Sequence, residues 1–85
     1  MLLVTQEGCN PCLRVKRILG EIARTVPDLV VREVRFDSEE GVSLAQQHGI
    51  LFPPAVIGDG RLVGKGKIRE EDLYDAMGAS FHRSA

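Results

Sequence analysis

Two cysteines, Cys9 and Cys12, stand three positions apart and are the only cysteines in the chain. Thiols at this spacing can close a disulfide without moving the backbone, and two thiolates can also hold a soft metal ion. If a helix begins between them, its free N–H groups and macrodipole stabilise a thiolate on Cys9. A thiolate is the species that attacks disulfides, so thiol–disulfide exchange is the first hypothesis.

A helical repeat of apolar residues begins at the second cysteine. From Cys12 onward, apolar side chains recur three or four positions apart, at Val15, Ile18, Leu19, Ile22 and Val26. This spacing predicts a helix with one buried face. Cys12 continues that face, whereas Cys9 precedes the first turn at its open end. We therefore predict two unlike sulfurs, with Cys9 exposed and attacking and Cys12 buried.

The rest of the chain predicts further strands and helices around this one. Residues 2–5 are typical of a buried strand, and residues 29–36, a β-branched run interspersed with charged residues, predict a second strand. Residues 54–57 and 61–63 flank a glycine-rich turn typical of a hairpin. A second helix is predicted from an N-cap at Asp37, with Glu40 as its reciprocal partner, to a stop at Gly49. A third runs from Glu70 to Gly78. The order β-α-β-α-β-β-α predicts an α/β fold with a four-stranded mixed sheet flanked by helices.

Length and charge limit the possible function classes. The 85 residues suit one small domain, which we place at residues 1–78, followed by a frayed tail at 79–85. A net charge of −1 gives no electrostatic attraction for nucleic acid or a membrane surface. The apolar stretch 1–4 is too short for a signal peptide or a membrane span. We expect a cytoplasmic monomer, in which thiols are kept reduced and a purely structural disulfide is disfavoured.

Three separated places carry a resemblance to a known family. Cys9-Asn10-Pro11-Cys12 has a proline before its second cysteine, as in the Cys-Gly-Pro-Cys of thioredoxins. Residues 48–55 read His-Gly-Ile-Leu-Phe-Pro-Pro-Ala, similar to the segment that leads into that family's cis-proline, with Pro54 in the proline position. The third place, residues 60–66, has glycines that match glutaredoxins at Gly64 and thioredoxins at Gly66. The chain thus resembles small glutaredoxin-like and thioredoxin-like proteins of the thioredoxin-fold superfamily, and the subfamily stays open.

This resemblance implies a thiol–disulfide oxidoreductase that acts in electron transport and cell redox homeostasis, as a reductant of protein disulfides. It implies Cys9 and Cys12 as the catalytic residues, with Asn10 and Pro11 supporting their geometry. The positions at which it places substrate backbone are Pro53, Pro54 and Ala55. The redox-active disulfide needs neither a metal nor a bound cofactor. The expected partners are a disulfide-containing protein or a low-molecular-weight thiol as substrate, and glutathione or a reductase as electron donor.

Several positions depart from the family pattern. Gly8 stands where thioredoxins carry a tryptophan, and residues 2–4 lack their buried aspartate. Asn10-Pro11 lacks the tyrosine that glutaredoxins carry inside the motif, and Lys67-Ile68 lacks the paired aspartates that hold glutathione. The electron donor therefore stays open. Glu33, on the second predicted strand, is a candidate substitute proton acceptor facing the cysteines, although a solvated charge is the commoner arrangement at such a position.

Two other functions fit the cysteine pair. Residues 5–12 also resemble the metal-binding loop of small copper chaperones, in which two soft thiolates bind Cu(I). Those proteins have the order β-α-β-β-α-β, whereas residues 37–48 here predict a helix directly after the second strand. The other alternative is a redox-inactive thioredoxin-like interaction module, which the retention of both thiols disfavours. Cysteines that serve only as packing residues are disfavoured because Cys9 falls in a polar loop.

Overall fold

A computed structural model describes residues 1–77 and resolves seven elements in the predicted order. They are β1 (Leu2–Thr5), α1 (Asn10–Thr25), β2 (Arg32–Arg35), α2 (Glu39–His48), β3 (Ala55–Gly58), β4 (Arg61–Lys65) and α3 (Glu70–Ala76). The predicted end of the last helix at Gly78 and the predicted tail at 79–85 lie outside the described residues.

The strands form one four-stranded sheet in the order β2-β1-β3-β4. β1 runs parallel to β2 and antiparallel to β3, and β3 and β4 form an antiparallel hairpin. The α/β class and the mixed sheet predicted from the sequence are therefore confirmed. This arrangement is compatible with a thioredoxin-like fold.

The helices cover both faces of the sheet because β1 and β3 are apolar on both sides. On one face, Leu3 and Val56 pack against α1 and against Leu73 of α3. On the other, Val4 and Ile57 form a smaller cluster against which residues of α2 pack. The face under α1 holds the larger buried cluster, so the helix that carries the cysteines is also the helix most firmly anchored by apolar contacts.

The start of α2 differs from the prediction by one residue. Ser38, not Asp37, is the N-cap, and its hydroxyl oxygen accepts a hydrogen bond from the backbone N–H of Gly41 at 3.0 Å. Asp37 instead accepts from Arg35 at 3.1 Å. Glu40 does not reach back to the cap, because it binds the Arg32 guanidinium of β2 through both oxygens. This hydrogen bonding lowers the pKa of Glu40 and raises the pKa of Arg32.

The second strand is also shorter than predicted, spanning Arg32–Arg35 rather than 29–36. Within residues 1–77 it pairs with β1 alone, and the register pairs each of the four residues of β1 with one residue of β2. Leu29 and Val31 pack against the cluster under α1 instead of extending the strand. The length of the partner strand, which periodicity does not reveal, therefore sets the length of β2.

Gly41 permits a close approach between α2 and β2. A Cβ atom at this position would lie 2.0 Å from the carbonyl oxygen of Arg35, which is a backbone atom and cannot turn aside. Gly20, in the middle of α1, is the opposite case, because it is exposed and a Cβ atom there would meet nothing within 4 Å. The two helical glycines thus differ in what they contribute to the fold.

We predict opposite effects for alanine at these two positions. Gly41→Ala should lower the free energy of unfolding by about 1–3 kcal/mol or more, because α2 must move away from β2. Gly20→Ala should raise it by roughly 0.5–1 kcal/mol through better helix propensity. Urea unfolding of both variants measures the difference. A Gly41→Ala protein as stable as wild type would contradict the close packing of α2 on β2.

Candidate active site

The two cysteines flank the start of α1 and are joined by a disulfide, with their Cα atoms 5.2 Å apart. Cys9 is the N-cap residue of the helix, in an extended backbone conformation. Its sulfur accepts a hydrogen bond from the backbone N–H of Cys12 at 3.1 Å. Pro11 lies in the first turn, where its missing N–H leaves no helical hydrogen bond unmade. The sulfur of Cys9 therefore occupies the place where a side-chain oxygen usually caps a helix.

The two sulfurs differ in exposure. Cys9 is half-buried, whereas Cys12 is 3% exposed and lies on the same helix face as Val15 and Leu19. A bulky partner can therefore approach Cys9 more easily than Cys12. This asymmetry is the one that the apolar spacing of the sequence predicts.

The environment of the helix start favours negative charge on Cys9 once the disulfide is open. The first turn of α1 contains no acidic residue, so no carboxylate competes for the free N–H groups. The N–H of Cys12 already points at the Cys9 sulfur. A thiolate at Cys9 would keep this bond as a charge-assisted one, which is the stronger kind.

A small recess of about 250 Å³ lies on one side of the disulfide. It is lined by Thr5, Cys12 and Lys16, and by Glu33 and Arg35 of β2. Because Leu3 pairs with Glu33 and Thr5 with Arg35, these β2 side chains share the sheet face that α1 covers. Glu33 therefore lies in the recess with the disulfide, and its carboxylate is 3.3 Å from the ammonium of Lys16, with 42% of its side chain exposed.

Thr5 was not singled out from the sequence. It is the buried polar residue of the described core, 7% exposed, and it stands at the end of β1 beside both cysteines. The sequence feature that could have indicated Thr5 is its hydroxyl group at the end of an otherwise apolar strand, just before the cysteine motif.

A larger groove of about 890 Å³ lies on the other side of the motif. Asn10 and Pro11 form its wall at the cysteines, and Pro53 and Pro54 line it as well. Four of the residues named from the sequence thus line one groove. Ala55 does not line it, because this residue lies in β3 with its side chain fully buried against the α2 side of the sheet.

The second of the two prolines is hydrogen-bonded to the residue that follows β4. The Pro53-Pro54 peptide bond is cis, and both residues are buried. The carbonyl oxygen of Pro54 accepts a hydrogen bond from the N–H of Gly66 at 2.8 Å. The carbonyl of Pro53 accepts none of the backbone hydrogen bonds made within residues 1–77.

Charged residues border the far part of the groove. Arg14 of α1 donates a 2.7 Å hydrogen bond to the carbonyl oxygen of Ile68, which ties α1 to the loop between β4 and α3. Arg69 binds Glu71 at 2.9 Å and Asp72 at 3.3 Å. The hydrogen bond to Asp72, with the nearby carboxylates, raises the pKa of Arg69. Arg14, Phe52 and Lys67 also line the groove, and none of them is among the site residues predicted from the sequence.

Comparison with known proteins adds no identification. No protein-family model matches the chain, and no curated protein matches it.

No helix within residues 1–77 is long and apolar enough to cross a membrane. In the same part of the chain, no three His, Cys, Asp or Glu side chains come together as a metal site.

We predict that Cys9 of the reduced protein forms a thiolate at lower pH than a free cysteine does. In a Cys12→Ser variant, which keeps the backbone N–H of position 12, the rate of alkylation by iodoacetamide should rise with a midpoint at roughly pH 3.5–7.5, against about 8.5 for a free cysteine. Alkylation quenched at a series of times and quantified by mass spectrometry measures this pH profile. The matched Cys9→Ser variant reports on Cys12 and should be alkylated more slowly because that sulfur is buried. A Cys9 midpoint at or above that of free cysteine would contradict thiolate stabilisation by α1.

Proposed function

We propose that this protein is a thiol–disulfide oxidoreductase with a thioredoxin-like fold, acting through the Cys9/Cys12 dithiol. The observation that carries the proposal is the placement of Cys9 as the N-cap of α1, within 3.1 Å of the N–H of Cys12 and bonded to its sulfur. A helix start supplies the partial positive charge that a nucleophilic thiolate needs. The second sulfur is near enough to resolve the intermediate.

In the first step, the Cys9 thiolate attacks one sulfur of a substrate disulfide. A bond forms between Cys9 and that sulfur, the substrate S–S bond breaks, and the other substrate sulfur leaves as a thiolate that takes a proton from solvent. The half-exposed position of Cys9 suits this step, since the attacking sulfur must reach a sulfur on another molecule.

In the second step, Cys12 loses its proton and attacks the sulfur of Cys9. The Cys9–Cys12 disulfide forms, and the remaining substrate sulfur leaves as a thiolate. Two electrons have then passed from the dithiol to the substrate. Glu33, whose carboxylate lines the recess shared by the two cysteines, is the candidate to accept the proton of Cys12.

A second pair of electrons must return the protein to its reduced form. Glutathione or a reductase is the proposed donor, and disulfide-containing proteins are the proposed substrates. The cytoplasmic setting expected from the sequence favours reduction as the direction. Because the chain departs from both the glutaredoxin and the thioredoxin patterns, we propose glutathione and a reductase equally as the electron donor.

The copper-chaperone alternative is less well supported. A helix, α2, follows the second strand, and the hairpin comes only after it, so the element order differs from β-α-β-β-α-β. The redox-inactive alternative is disfavoured because both thiols are present and bonded to each other. The experiment below distinguishes the copper chaperone from the proposed oxidoreductase.

We predict that Cys9→Ser abolishes disulfide reduction. Wild type, Cys9→Ser and Cys12→Ser are compared in insulin reduction and in reduction of a glutathione mixed disulfide. Cys9→Ser should lose all activity, because the attacking sulfur is gone. Cys12→Ser should trap the mixed disulfide and lose insulin reduction. Activity unaffected by Cys9→Ser would refute the proposal, and stoichiometric Cu(I) binding without exchange activity would favour the copper chaperone.

We predict that Pro53→Val strengthens substrate capture. The resemblance to thioredoxins implies that the residue before the cis-proline pairs with substrate backbone, and proline has no N–H to donate. The free carbonyl of Pro53 can still accept, so valine would restore one donor bond, worth roughly 0.5–1.5 kcal/mol. The affinity for a non-reactive peptide analogue is measured in the Cys9→Ser background. Equal affinity of Pro53→Val and its parent would contradict this mode of capture.

A further inference from the structure

The large groove beside the disulfide has an apolar interior. Val15, Pro54 and Ile68 are buried in its floor, whereas Phe52 stands at its border with 62% of its surface exposed. The ring of Phe52 lies against Gly66, where an added Cβ atom would come within 3.5 Å of it. An exposed aromatic ring beside buried prolines is a surface that an apolar side chain of a partner can cover.

The same groove is bordered by more positive than negative charge, although the chain as a whole carries −1. Arg14, Lys67 and Arg69 line it, against Glu70 and Glu71. Arg69 forms ion pairs with Glu71 and Asp72, so its positive charge is already neutralised within the protein. Arg14 and Lys67 form no ion pair with any carboxylate in the part of the chain that the structure describes.

Arg14 is also held in place. Its guanidinium donates to the Ile68 carbonyl at 2.7 Å, which uses one N–H and leaves further donors for a ligand on the groove side. A fixed guanidinium loses less side-chain freedom on binding than a mobile one, and it suits a carboxylate. Lys67 is exposed on the loop that follows β4 and adds a second cation.

We propose, building on the proposed redox function, that this groove selects protein substrates by charge. The favoured segment carries an apolar side chain next to its reactive cysteine and a carboxylate a short distance away, bound by Arg14 and Lys67. Arg14 lies five positions after Cys9, roughly 7 Å along the axis of α1. An extended peptide advances about 3.3 Å per residue, which places the carboxylate two or three residues from the cysteine.

Single-turnover oxidation of the reduced protein tests this specificity without any electron donor. The substrates are symmetrical disulfides of short peptides that carry leucine next to the cysteine. Glu, Gln or Lys stands three residues from the cysteine, before it in one set of peptides and after it in another. The Glu peptide should react about three- to tenfold faster than the Gln peptide at low salt, as expected for one or two exposed ion pairs, and the Lys peptide should react more slowly. The preference should shrink in 0.5 M NaCl, because exposed charges are screened at roughly 3–5 Å there.

Three variants locate the preference on the protein. Lys67→Gln and Arg14→Gln should each bring the Glu-to-Gln rate ratio toward one, and Arg14→Lys should retain part of it. Arg17→Gln is the matched control, since Arg17 is an exposed cation of the same helix that does not line the groove. This control should keep the wild-type ratio.

The outcomes separate the two proposals. Equal rates for the Glu, Gln and Lys peptides would overturn the charge selection while leaving the redox function intact. Failure to oxidise with any peptide would instead refute the redox function. A preference that survives in both Lys67→Gln and Arg14→Gln would overturn the assignment to this groove. A dimer in sedimentation analysis that Lys67→Gln dissociates would overturn it too, by assigning the groove to a second copy of the chain.

Discussion

The site depends on one hydrogen bond at the start of α1, from the N–H of Cys12 to the sulfur of Cys9. A helix start always has N–H groups that its own backbone does not satisfy, and most proteins cap them with an oxygen. Here the cap is the sulfur of Cys9, the atom proposed to react. The apolar face of α1 fixes the helix against the sheet, and the helix in turn fixes the direction of that N–H. Burial of residues such as Ile18 and Ile22, far from the sulfurs, thereby determines the geometry of the chemistry.

The disulfide divides its surroundings into two unlike sides. The recess is small, is lined by both cysteines and contains polar side chains, including Thr5 and Glu33. The groove next to Asn10 and Pro11 is large and mostly apolar, with basic residues at its border. Under the proposed function, the polar recess suits proton transfer at the cysteines and the apolar groove suits the binding of a partner. The sheet register produces the recess, and the bond between Arg14 and Ile68 shapes the groove.

Sequence reasoning predicted the parts of the structure that follow from periodicity and local chemistry. The helical spacing after Cys12 gave the buried face of α1, and Gly49 ends α2 in the left-handed conformation. Contacts between distant residues were beyond its reach. Ser38 caps α2 in place of Asp37, and both Asp37 and its predicted partner Glu40 bind arginines of β2 instead, which no local pattern reveals. The groove was missed for the same reason, since Arg14 and Lys67 are brought to it from separate elements by the fold.

The short span of the Cys9–Cys12 bond has a consequence for the chain as a polymer. A cross-link lowers the conformational entropy of the unfolded chain by an amount that grows with the logarithm of the number of residues in the closed loop. The loop closed by Cys9 and Cys12 contains only four residues. The corresponding loop-entropy contribution is about 2 kcal/mol, less than the 3 kcal/mol of a fifteen-residue loop. The apolar clusters on the two faces of the sheet supply cohesion that does not involve this bond. Opening the disulfide therefore releases less conformational freedom than opening a longer loop would, and the apolar clusters let the two oxidation states share one folded scaffold.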